Sequence, residues 1–221
     1  MLRIKKTVTL LSVVLVMLFS TACTLPFKSA ESAEEDNEVS FDNLKDYEKD
    51  TLIFEKDGHL TEIAVDDYSS ENFEYDDLEQ YIKNSVDQFN LKESARKITF
   101  LDYSDDGGII RSAIRYSNVD AYNKFNNFKS EFSLYDAEKI NEKFSEGELY
   151  VVATFTDATG GDALSTDIAG PGLMMYMTDE AIDFKVDGGK ILYVKNGSFS
   201  GDGSVVTNGN GQAIIVFSLG Y

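Results

Sequence analysis

The chain has very few of the residues from which reactive or metal-binding sites are usually built. Among its 221 residues there are one cysteine, one histidine, two prolines and no tryptophan. A single cysteine forms no intrachain disulfide and supplies no cysteine-rich zinc or iron–sulfur site. A single histidine excludes sites that need several histidine ligands. From this composition we predict no cofactor and no metal ligands.

Basic residues are also scarce. The chain has 20 Lys and Arg against 39 Asp and Glu, which gives a net charge of -19. We therefore predict no nucleic-acid partner, because the phosphate backbone attracts clusters of Lys and Arg and repels carboxylates. Hydrophobic residues at 43% and aromatic residues at 12% are enough for a core, so we expect a folded domain.

The N-terminus has the pattern of a secretory leader. Three basic residues, the last of them Lys6, precede an apolar run of 13 residues at positions 7–19. This run is shorter than the roughly 20 residues that a membrane-spanning helix needs. The next residues, 20–23, read Ser-Thr-Ala-Cys and resemble the lipobox of bacterial lipoproteins, with Ser20 where that family favours Leu. The alternative is an ordinary secretory leader that leaves Cys23 as a free thiol.

The lipobox resemblance implies a lipid anchor at Cys23. In such lipoproteins signal peptidase II removes the leader, here residues 1–22, and the cysteine carries diacylglycerol, with a further acyl chain such as palmitate on its amine. Two acyl chains hold a protein stably where one holds it only marginally, since each buried methylene contributes about 0.8 kcal/mol. We therefore expect a protein anchored to the cell membrane on its extracytoplasmic face.

The composition divides the mature chain into two parts. Residues 23–50 are rich in Glu, Asp and Ser and lack apolar periodicity, which is typical of a flexible acidic tether. Residues 51–221 are predicted to form a single domain. Without the leader the chain has 17 basic and 39 acidic residues, a net charge of -22. Anionic headgroups should repel such a surface within a Debye length of about 8 Å.

Hydrophobic periodicity after Thr51 predicts an α+β fold, namely an antiparallel sheet built of hairpins with two or three helices and a C-terminal β-meander. Helices are predicted at 75–89, from a capping box at 117–120, and from Ser133 to about Phe144. Strands are predicted at 51–55, 60–65, 97–103, 109–116, 148–155, 182–186, 190–195 and 213–217, with short ones near Ser198 and Val205. Residues 156–178 are predicted to form a long loop, and such loops are often functional.

Several segments of this domain resemble small surface lipoproteins of clostridial Firmicutes. The segments are FEKDG at 54–58, ENFEYDDL at 71–78, VDQFN at 86–90, IRYSNVDAYNKFN at 114–126 and GKILYV at 189–194. The likeness covers most of the chain after Thr51, and its motifs are turns, helix starts and core aromatics. It therefore implies a fold and attachment to the outer face of a Gram-positive cytoplasmic membrane, and it carries no activity over to this chain.

No motif identifies a catalytic residue. The chain has no G-x-S-x-G, no Walker A sequence and no G-x-G-x-x-G between a strand and a helix. His59 follows the Asp57-Gly58 turn, where we favour a solvated turn residue over a general base. An Asp/Glu pair of a glycosidase is not visible in a sequence, because its two acids meet only in space.

Three further features have a structural interpretation that we favour over a functional one. Acidic loops at 102–107 and 157–167 are candidates for calcium but do not match the EF-hand register, so we expect solvated turns. Glycines at 201–211 predict hairpin turns. The aromatic residues expected to pack in the core, and not to form a ligand cage, are Tyr75, Tyr81, Phe89, Tyr116, Tyr122 and Phe125.

These observations indicate a membrane-anchored, non-enzymatic binding or interaction module at the cell surface. Its partner would be an envelope protein or a small ligand. The alternative is an envelope-polymer hydrolase that uses an Asp/Glu pair. The one site residue that the sequence predicts is Cys23, the site of lipidation.

Overall fold

The structure, a computed structural model, describes residues 43–68, 78–145 and 151–219. The predicted leader, Cys23 and the first part of the predicted tether lie outside these residues. In the described ranges, three α-helices accompany 13 strands in two sheets, so the α+β class is confirmed. No helix in this part of the chain is both long enough and apolar enough to cross a membrane.

The helices are α1 (Leu78–Lys92), α2 (Val119–Asn126) and α3 (Ala137–Phe144), and a 3-10 helix spans Leu44–Asp46. The strands are β1 (Thr51–Phe54), β2 (Leu60–Asp67), β3 (Ile98–Asp106), β4 (Ile109–Tyr116), β5 (Glu131–Leu134), β6 (Thr154–Asp157), β7 (Asp162–Leu164), β8 (Leu173–Thr178), β9 (Asp183–Val186), β10 (Gly189–Lys195), β11 (Gly197–Phe199), β12 (Val205–Thr207) and β13 (Ala213–Leu219).

The first sheet has seven strands in the order β11-β12-β9-β1-β2-β4-β3. The two predicted hairpins, β1–β2 and β3–β4, are present and antiparallel. Each turns at glycine with a left-handed backbone, Gly58 at a φ of 91° and Gly107 at 65°, which a side chain would oppose. Strand β1 also pairs with β9 in parallel, with Thr51 opposite Asp183.

The second sheet has six strands in the order β5-β8-β13-β10-β6-β7, all antiparallel to their neighbours. Its central strand β8 and the short β7 lie in the segment predicted to be a long loop, so that prediction is wrong. Strand β8 has almost every side chain buried, on both of its faces. It therefore lacks the alternation of polar and apolar residues by which a half-buried strand is recognised.

Two helix starts differ from the prediction. Helix α2 is capped by Asn118, whose side chain accepts a hydrogen bond from the amide of Ala121 at 2.8 Å, one residue after the predicted cap. Helix α3 is capped by Asp136, while Ser133, its predicted start, lies in β5. Helix α1 continues past Asn90, whose side chain instead bonds both backbone groups of Ile98, at 2.8 and 2.9 Å.

The strand predicted at 148–155 is only partly correct. Residues 148–150 lie outside the described residues, and β6 begins only at Thr154. Just before it, the amide of Ala153 donates to Oδ1 of Asn141 at 3.0 Å, and the amide of Val151 donates to Oγ of Ser145 at 3.3 Å. Because side chains at the end of α3 bond these amides, this part of the backbone is not in a sheet ladder.

The two sheets pack face to face through aromatic side chains. Phe54 and Phe184 of the first sheet meet Phe217 of the second at ring-centroid distances of 5.1 and 5.7 Å. Tyr176 of β8 stacks on Phe184 at 5.0 Å. The C-terminal strand run is shared between the sheets, because β9, β11 and β12 join the first and β10 and β13 join the second. Helix α2 contributes Tyr122 to the same core.

Residues 43–50, which the sequence assigns to the tether, contact the first sheet. Leu44 is buried, and the carbonyl of Tyr47 accepts a hydrogen bond from Nε of Arg111 at 2.7 Å. Oδ1 of Asp50 accepts a hydrogen bond from the amide of Val65 at 2.9 Å. This segment thus covers the face of the first sheet that points away from the second.

Candidate functional site

One group of charged side chains lies on the β1–β2 hairpin. Ligand atoms of Glu55, Asp57 and His59 all lie within 4.8 Å of one another. Nη2 of Arg115, from β4, lies 2.6 Å from Oε2 of Glu55 and 3.1 Å from Oδ2 of Asp57. The hydroxyl of Thr61 donates to Oε1 of Glu55 at 2.7 Å. The guanidinium therefore lies against both carboxylates and neutralises one of their two negative charges.

His59 belongs to this hairpin group. Its Nδ1 lies 2.9 Å from Oδ1 of Asp57, and the side chain is 35% exposed. The sequence led us to favour a solvated turn residue. The structure places His59 at that turn, half-buried and in contact with the turn's own carboxylate.

A second group lies between the two sheets, beside α2. Its members are two glutamates and the three tyrosines around them, and we call it the carboxyl–tyrosine cluster: Glu62, Glu180, Tyr116, Tyr122 and Tyr176. Glu62 projects from β2 on the same face as Leu60, because side chains two residues apart on a strand point the same way. Glu180 follows β8 in the second sheet.

Glu62 is held on one of its two oxygens. The hydroxyl of Tyr116 donates to Oε2 at 2.5 Å, and Nδ2 of Asn126 donates to the same atom at 3.1 Å. Asn126 also lies 3.1 Å from the Tyr116 hydroxyl, which closes a triangle of polar groups. Among the described residues, no group donates to Oε1 of Glu62.

Glu180 is held on both of its oxygens. The hydroxyl of Tyr122 donates to Oε2 at 2.6 Å, and Oγ of Ser130 donates to Oε1 at 2.9 Å. The amide of Glu180 donates to Oγ1 of Thr178 at 3.2 Å, and its carbonyl accepts from Oγ1 of Thr207 at 2.5 Å. The backbone is therefore fixed to β8 on one side and to β12 on the other.

Burial controls the ionisation of both glutamates. It raises the pKa of Glu62 to about 7, and the negative charges of Glu180 and Asp50 act in the same direction. The hydrogen bonds from Tyr116 and Asn126 oppose this rise, because they stabilise the carboxylate. Burial also raises the pKa of Glu180, against the hydrogen bonds it accepts. Near neutral pH, Glu62 is therefore close to half-protonated.

The tyrosines of the cluster stay protonated and act as donors. Burial raises the pKa of Tyr116 and of Tyr122 well above the ordinary range, and the charge of Glu62 adds to the effect on both. Their rings meet edge to face at a centroid distance of 5.2 Å. This contact joins the two halves of the cluster, since Tyr116 holds Glu62 and Tyr122 holds Glu180.

Tyr176 is the least satisfied member of the cluster. Its side chain is fully buried, and its hydroxyl has no hydrogen-bond partner. Burial raises its pKa, as do the charges of Glu180 and Glu62, while the nearby hydroxyls of Ser130 and Thr178 lower it without forming a well-directed bond. A buried polar group of this kind costs stability unless something else bonds it.

The cluster also lacks a positive partner. In the part of the chain that the structure describes, no Lys, Arg or His forms an ion pair with Glu62 or Glu180. The hairpin group differs in this respect, because Arg115 forms an ion pair with each of its carboxylates. Glu62 and Glu180 each keep partial exposure, whereas the three tyrosines of the cluster are fully buried.

A shallow cavity of about 400 Å³ lies elsewhere, at the turns after β9 and before β12. Lys185 and Asp202 line it and form an ion pair at 3.1 Å. Hydrogen bonds from Ser204 and the charge of Lys185 lower the pKa of Asp202 to about 2. Lys185 and Asp202 therefore satisfy each other, and a second lysine, Lys190, also lines the cavity.

The acidic loops proposed for calcium use their carboxylates to stabilise their own turns. Oδ1 of Asp105 accepts a hydrogen bond from the amide of Gly108 at 3.0 Å. Oδ1 of Asp157 accepts from the amides of Thr159 and Gly161 at 2.8 and 2.9 Å. These hydrogen bonds, with the one from the Thr159 hydroxyl, hold the pKa of Asp157 below its usual value.

Sequence reasoning placed Tyr116 and Tyr122 in the core, where they are, but missed the carboxyls that their hydroxyls hold. Tyr81, also expected in the core, is 37% exposed, and Tyr75 lies outside the described residues. The sequence contains one signal for Glu62. Two residues after Leu60, this glutamate lies on the same face of β2 as that buried leucine, and a charged residue at a core-facing position indicates a special role. For Glu180, in a turn, there is no such signal.

Comparison of the chain with family models, with curated proteins and with solved structures gives no match. The resemblance to clostridial lipoproteins therefore stays a prediction.

Proposed function

We propose that the protein is a lipid-anchored domain on the extracytoplasmic face of the cell membrane, and that it binds a ligand or partner at the carboxyl–tyrosine cluster. The leader and Cys23 support the anchor. One observation supports the binding role above all others. Two mostly buried carboxyls with raised pKa values lie together without a basic partner among the described residues.

The energetic cost of this arrangement supports a functional interpretation. Burying a carboxyl away from a counter-charge destabilises a fold, and buried charges are usually paired. The hairpin group follows that rule through Arg115, whereas the cluster does not. Carboxyls with strongly shifted pKa values are concentrated at functional sites, because binding and catalysis need groups that change their ionisation near neutral pH.

The make-up of the cluster favours binding over catalysis. Its hydroxyls, from Tyr116, Tyr122 and Ser130, all donate to carboxyl oxygens and are held in place by those bonds. The only histidine of the chain, His59, lies on the hairpin with other carboxylates, so it does not serve Ser130 as a base. The cluster is therefore a preorganised set of hydrogen-bond acceptors, and the Tyr176 hydroxyl is the one member that forms no hydrogen bond to a described residue.

The anchor is tested with Cys23→Ala in the native host. We expect the wild-type protein in the membrane fraction, labelled by palmitate and released only by detergent. The C23A protein should be unlabelled and should leave the membrane fraction. Retention of unlabelled C23A protein in that fraction would contradict a lipid anchor.

The binding role is tested by thermal shift on the full mature protein against a panel of envelope fragments, peptides and small metabolites. A ligand of the cluster should raise the Tm of the wild-type protein and have no effect on Glu62→Gln. Glu142→Gln is the matched control, because it removes the same charge at an exposed position on α3 and should keep the response. If every ligand that raises the Tm of the wild-type protein also raises the Tm of E62Q, the ligands bind outside the cluster.

A second candidate function is hydrolysis of an envelope polymer, and the ionisation of Glu62 favours it. A carboxyl with a pKa of about 7 suits a general acid at neutral pH, and glycosidases use such a group with a second carboxyl. Release of reducing ends from peptidoglycan and glycans measures this activity. Turnover that Glu62→Gln and Glu180→Gln both abolish, and that E142Q keeps, would replace the binding function. No turnover across the panel would remove the hydrolase.

A further inference from the structure

We infer that the ligand of the carboxyl–tyrosine cluster carries a primary ammonium group, which binds between Glu62 and Tyr176. This inference rests on the proposed function and names the chemical class of its ligand. It goes beyond the presence of acidic residues, because a buried and unpartnered tyrosine hydroxyl supports it independently.

Charge is the first argument. When both glutamates are ionised the cluster holds two negative charges, and Asp50 adds a third nearby. Among the described residues no basic side chain pairs with Glu62 or Glu180, and an anion would be repelled. A cation is the one charged ligand that relieves the repulsion between the carboxylates.

The hydrogen-bond inventory is the second argument. An ammonium group has three donors and no acceptor. Oε2 of Glu62 already accepts from Tyr116 and Asn126, but no described group donates to Oε1. The hydroxyl oxygen of Tyr176 is buried and also without a partner. Both oxygens are available as acceptors, and an ammonium group has donors enough for each of them.

The surrounding rings favour an organic cation with an alkyl stem. Tyr116 lies 6.0 Å from Phe125 and Tyr122 lies 5.5 Å from Phe128, measured between ring centroids. Aromatic faces attract ammonium groups and pack against methylenes. A divalent metal instead needs about six hard oxygen ligands. Within the described ranges, the trio with metal-ligand geometry is Glu55, Asp57 and His59 of the hairpin group, whose two carboxylates already pair with Arg115.

Binding should be coupled to the loss of one proton. The neutral Glu62 carboxyl releases its proton to water, and the resulting carboxylate pairs with the ammonium, so charge and protons balance. The groups that face Glu62 are Tyr116 on β4, Tyr122 on α2, Tyr176 and Glu180 at β8, and Asp50 before β1. The three tyrosines stay neutral between pH 6 and 8, so the carboxyls govern the coupling.

The test is an NMR-detected titration of the full mature protein in a nonionic detergent. The probes are n-butylammonium, its neutral analogue n-butanol, Nα-acetyl-lysine amide and Ca²⁺, each at pH 6 and pH 8. We expect the wild-type protein to bind n-butylammonium and not n-butanol. The affinity should be about tenfold higher at pH 8, because the competent, deprotonated fraction of Glu62 grows by about that factor. Binding of n-butylammonium alone indicates a free amine as the ligand, and binding of Nα-acetyl-lysine amide alone indicates a lysine of a peptide. Either result supports the inference.

Variants localise the effect. Glu62→Gln should weaken n-butylammonium binding at least tenfold at pH 8 and remove its pH dependence, whereas Glu142→Gln should behave as wild type. Tyr176→Phe should weaken n-butylammonium binding several-fold and keep the pH dependence.

Equal affinity for n-butanol, a wild-type response in E62Q, or Ca²⁺ binding that E62Q abolishes would each overturn the ammonium inference. A neutral ligand that binds in an E62Q-sensitive way would overturn it and leave the proposed function standing. If no ligand of any class perturbs the cluster, both fail.

Discussion

The hydroxyl of Tyr116 lies 2.5 Å from Oε2 of Glu62, inside the gap between the two sheets. Tyr116 is on β4 and pairs with Leu60, two residues before Glu62 on β2, so the bond runs diagonally across neighbouring strands. This donor fixes one oxygen of the carboxyl and leaves the other available. The cluster is thus ordered before any ligand binds, which lowers the entropic cost of recognition.

The stability of the protein should fall as the pH rises from 5 to 8. The pKa of Glu62 is about 7 in the folded chain against an ordinary 4.5, so the folded state holds this proton more tightly than the unfolded state. The contribution is fully present below pH 4.5 and is lost as the pH rises through 7. The shift corresponds to up to about 3 kcal/mol in the free energy of unfolding. Urea denaturation at pH 5 and pH 8 measures it.

The matched variants assign this effect to Glu62. Glu62→Gln should be more stable than the wild type at pH 8 and should have a smaller pH dependence, whereas Glu142→Gln should keep the wild-type dependence. A wild-type dependence in E62Q would assign the effect to other carboxyls.

Tyr116→Phe should raise the pKa of Glu62 further, because it removes a hydrogen bond that stabilises the carboxylate. It should also lower the free energy of unfolding by about 1–3 kcal/mol. A ¹³C NMR titration of the glutamate carboxyls measures the pKa, and urea denaturation measures the stability. Tyr81→Phe, at an exposed position on α1, is the control and should change neither. An unchanged Glu62 titration in Y116F would mean that this bond does not influence the carboxyl.

Arg115→Met should destabilise the domain strongly. The Glu55 side chain is only 5% exposed and loses its counter-charge in this variant, which costs about 3–5 kcal/mol. Adding Glu55→Gln should recover part of the loss, since the carboxyl left behind is then neutral. Lys45→Met removes an exposed pair with Asp106, 3.7 Å apart, and should cost at most about 1 kcal/mol. Similar losses for R115M and K45M in urea denaturation would contradict the structural role of the hairpin group.

Gly189→Ala should destabilise the junction between β9 and β10. A Cβ at Gly189 would lie 2.4 Å from the carbonyl oxygen of Ser218 and 2.6 Å from Cγ1 of Val186, so the paired strand β13 would have to move. We expect a loss of about 1–3 kcal/mol or more. Gly201→Ala is the control, because nothing lies within 4 Å of its Cβ, and it should stay within about 0.5 kcal/mol of wild type. Thermal unfolding that does not separate the two variants would contradict the close approach at Gly189.

The sequence alone is sufficient for the elements that a local turn signal defines. The Asp57-Gly58 and Gly107-Gly108 turns predict their hairpins because a left-handed backbone is a local property of glycine. The C-terminal strands were placed within about two residues, since glycines separate them. The pattern at Cys23 predicts an anchor in the same way, from neighbouring residues alone.

Tertiary structure decided which residues share a site. The sequence predicts a loop at strand β8, because burial on both faces removes the alternation of polar and apolar residues and the glycines before the strand indicate turns. Glu62 and Glu180 are 118 positions apart in the chain, and they lie in one cluster only because the two sheets pack face to face. Burial in the packed core raises the pKa of both, and a nearby charge adds to the rise, that of Glu180 at Glu62 and that of Asp179 at Glu180. The near absence of cysteine and histidine is set by the sequence, and the packing of the sheets determines which of the described carboxyls are buried without a basic partner.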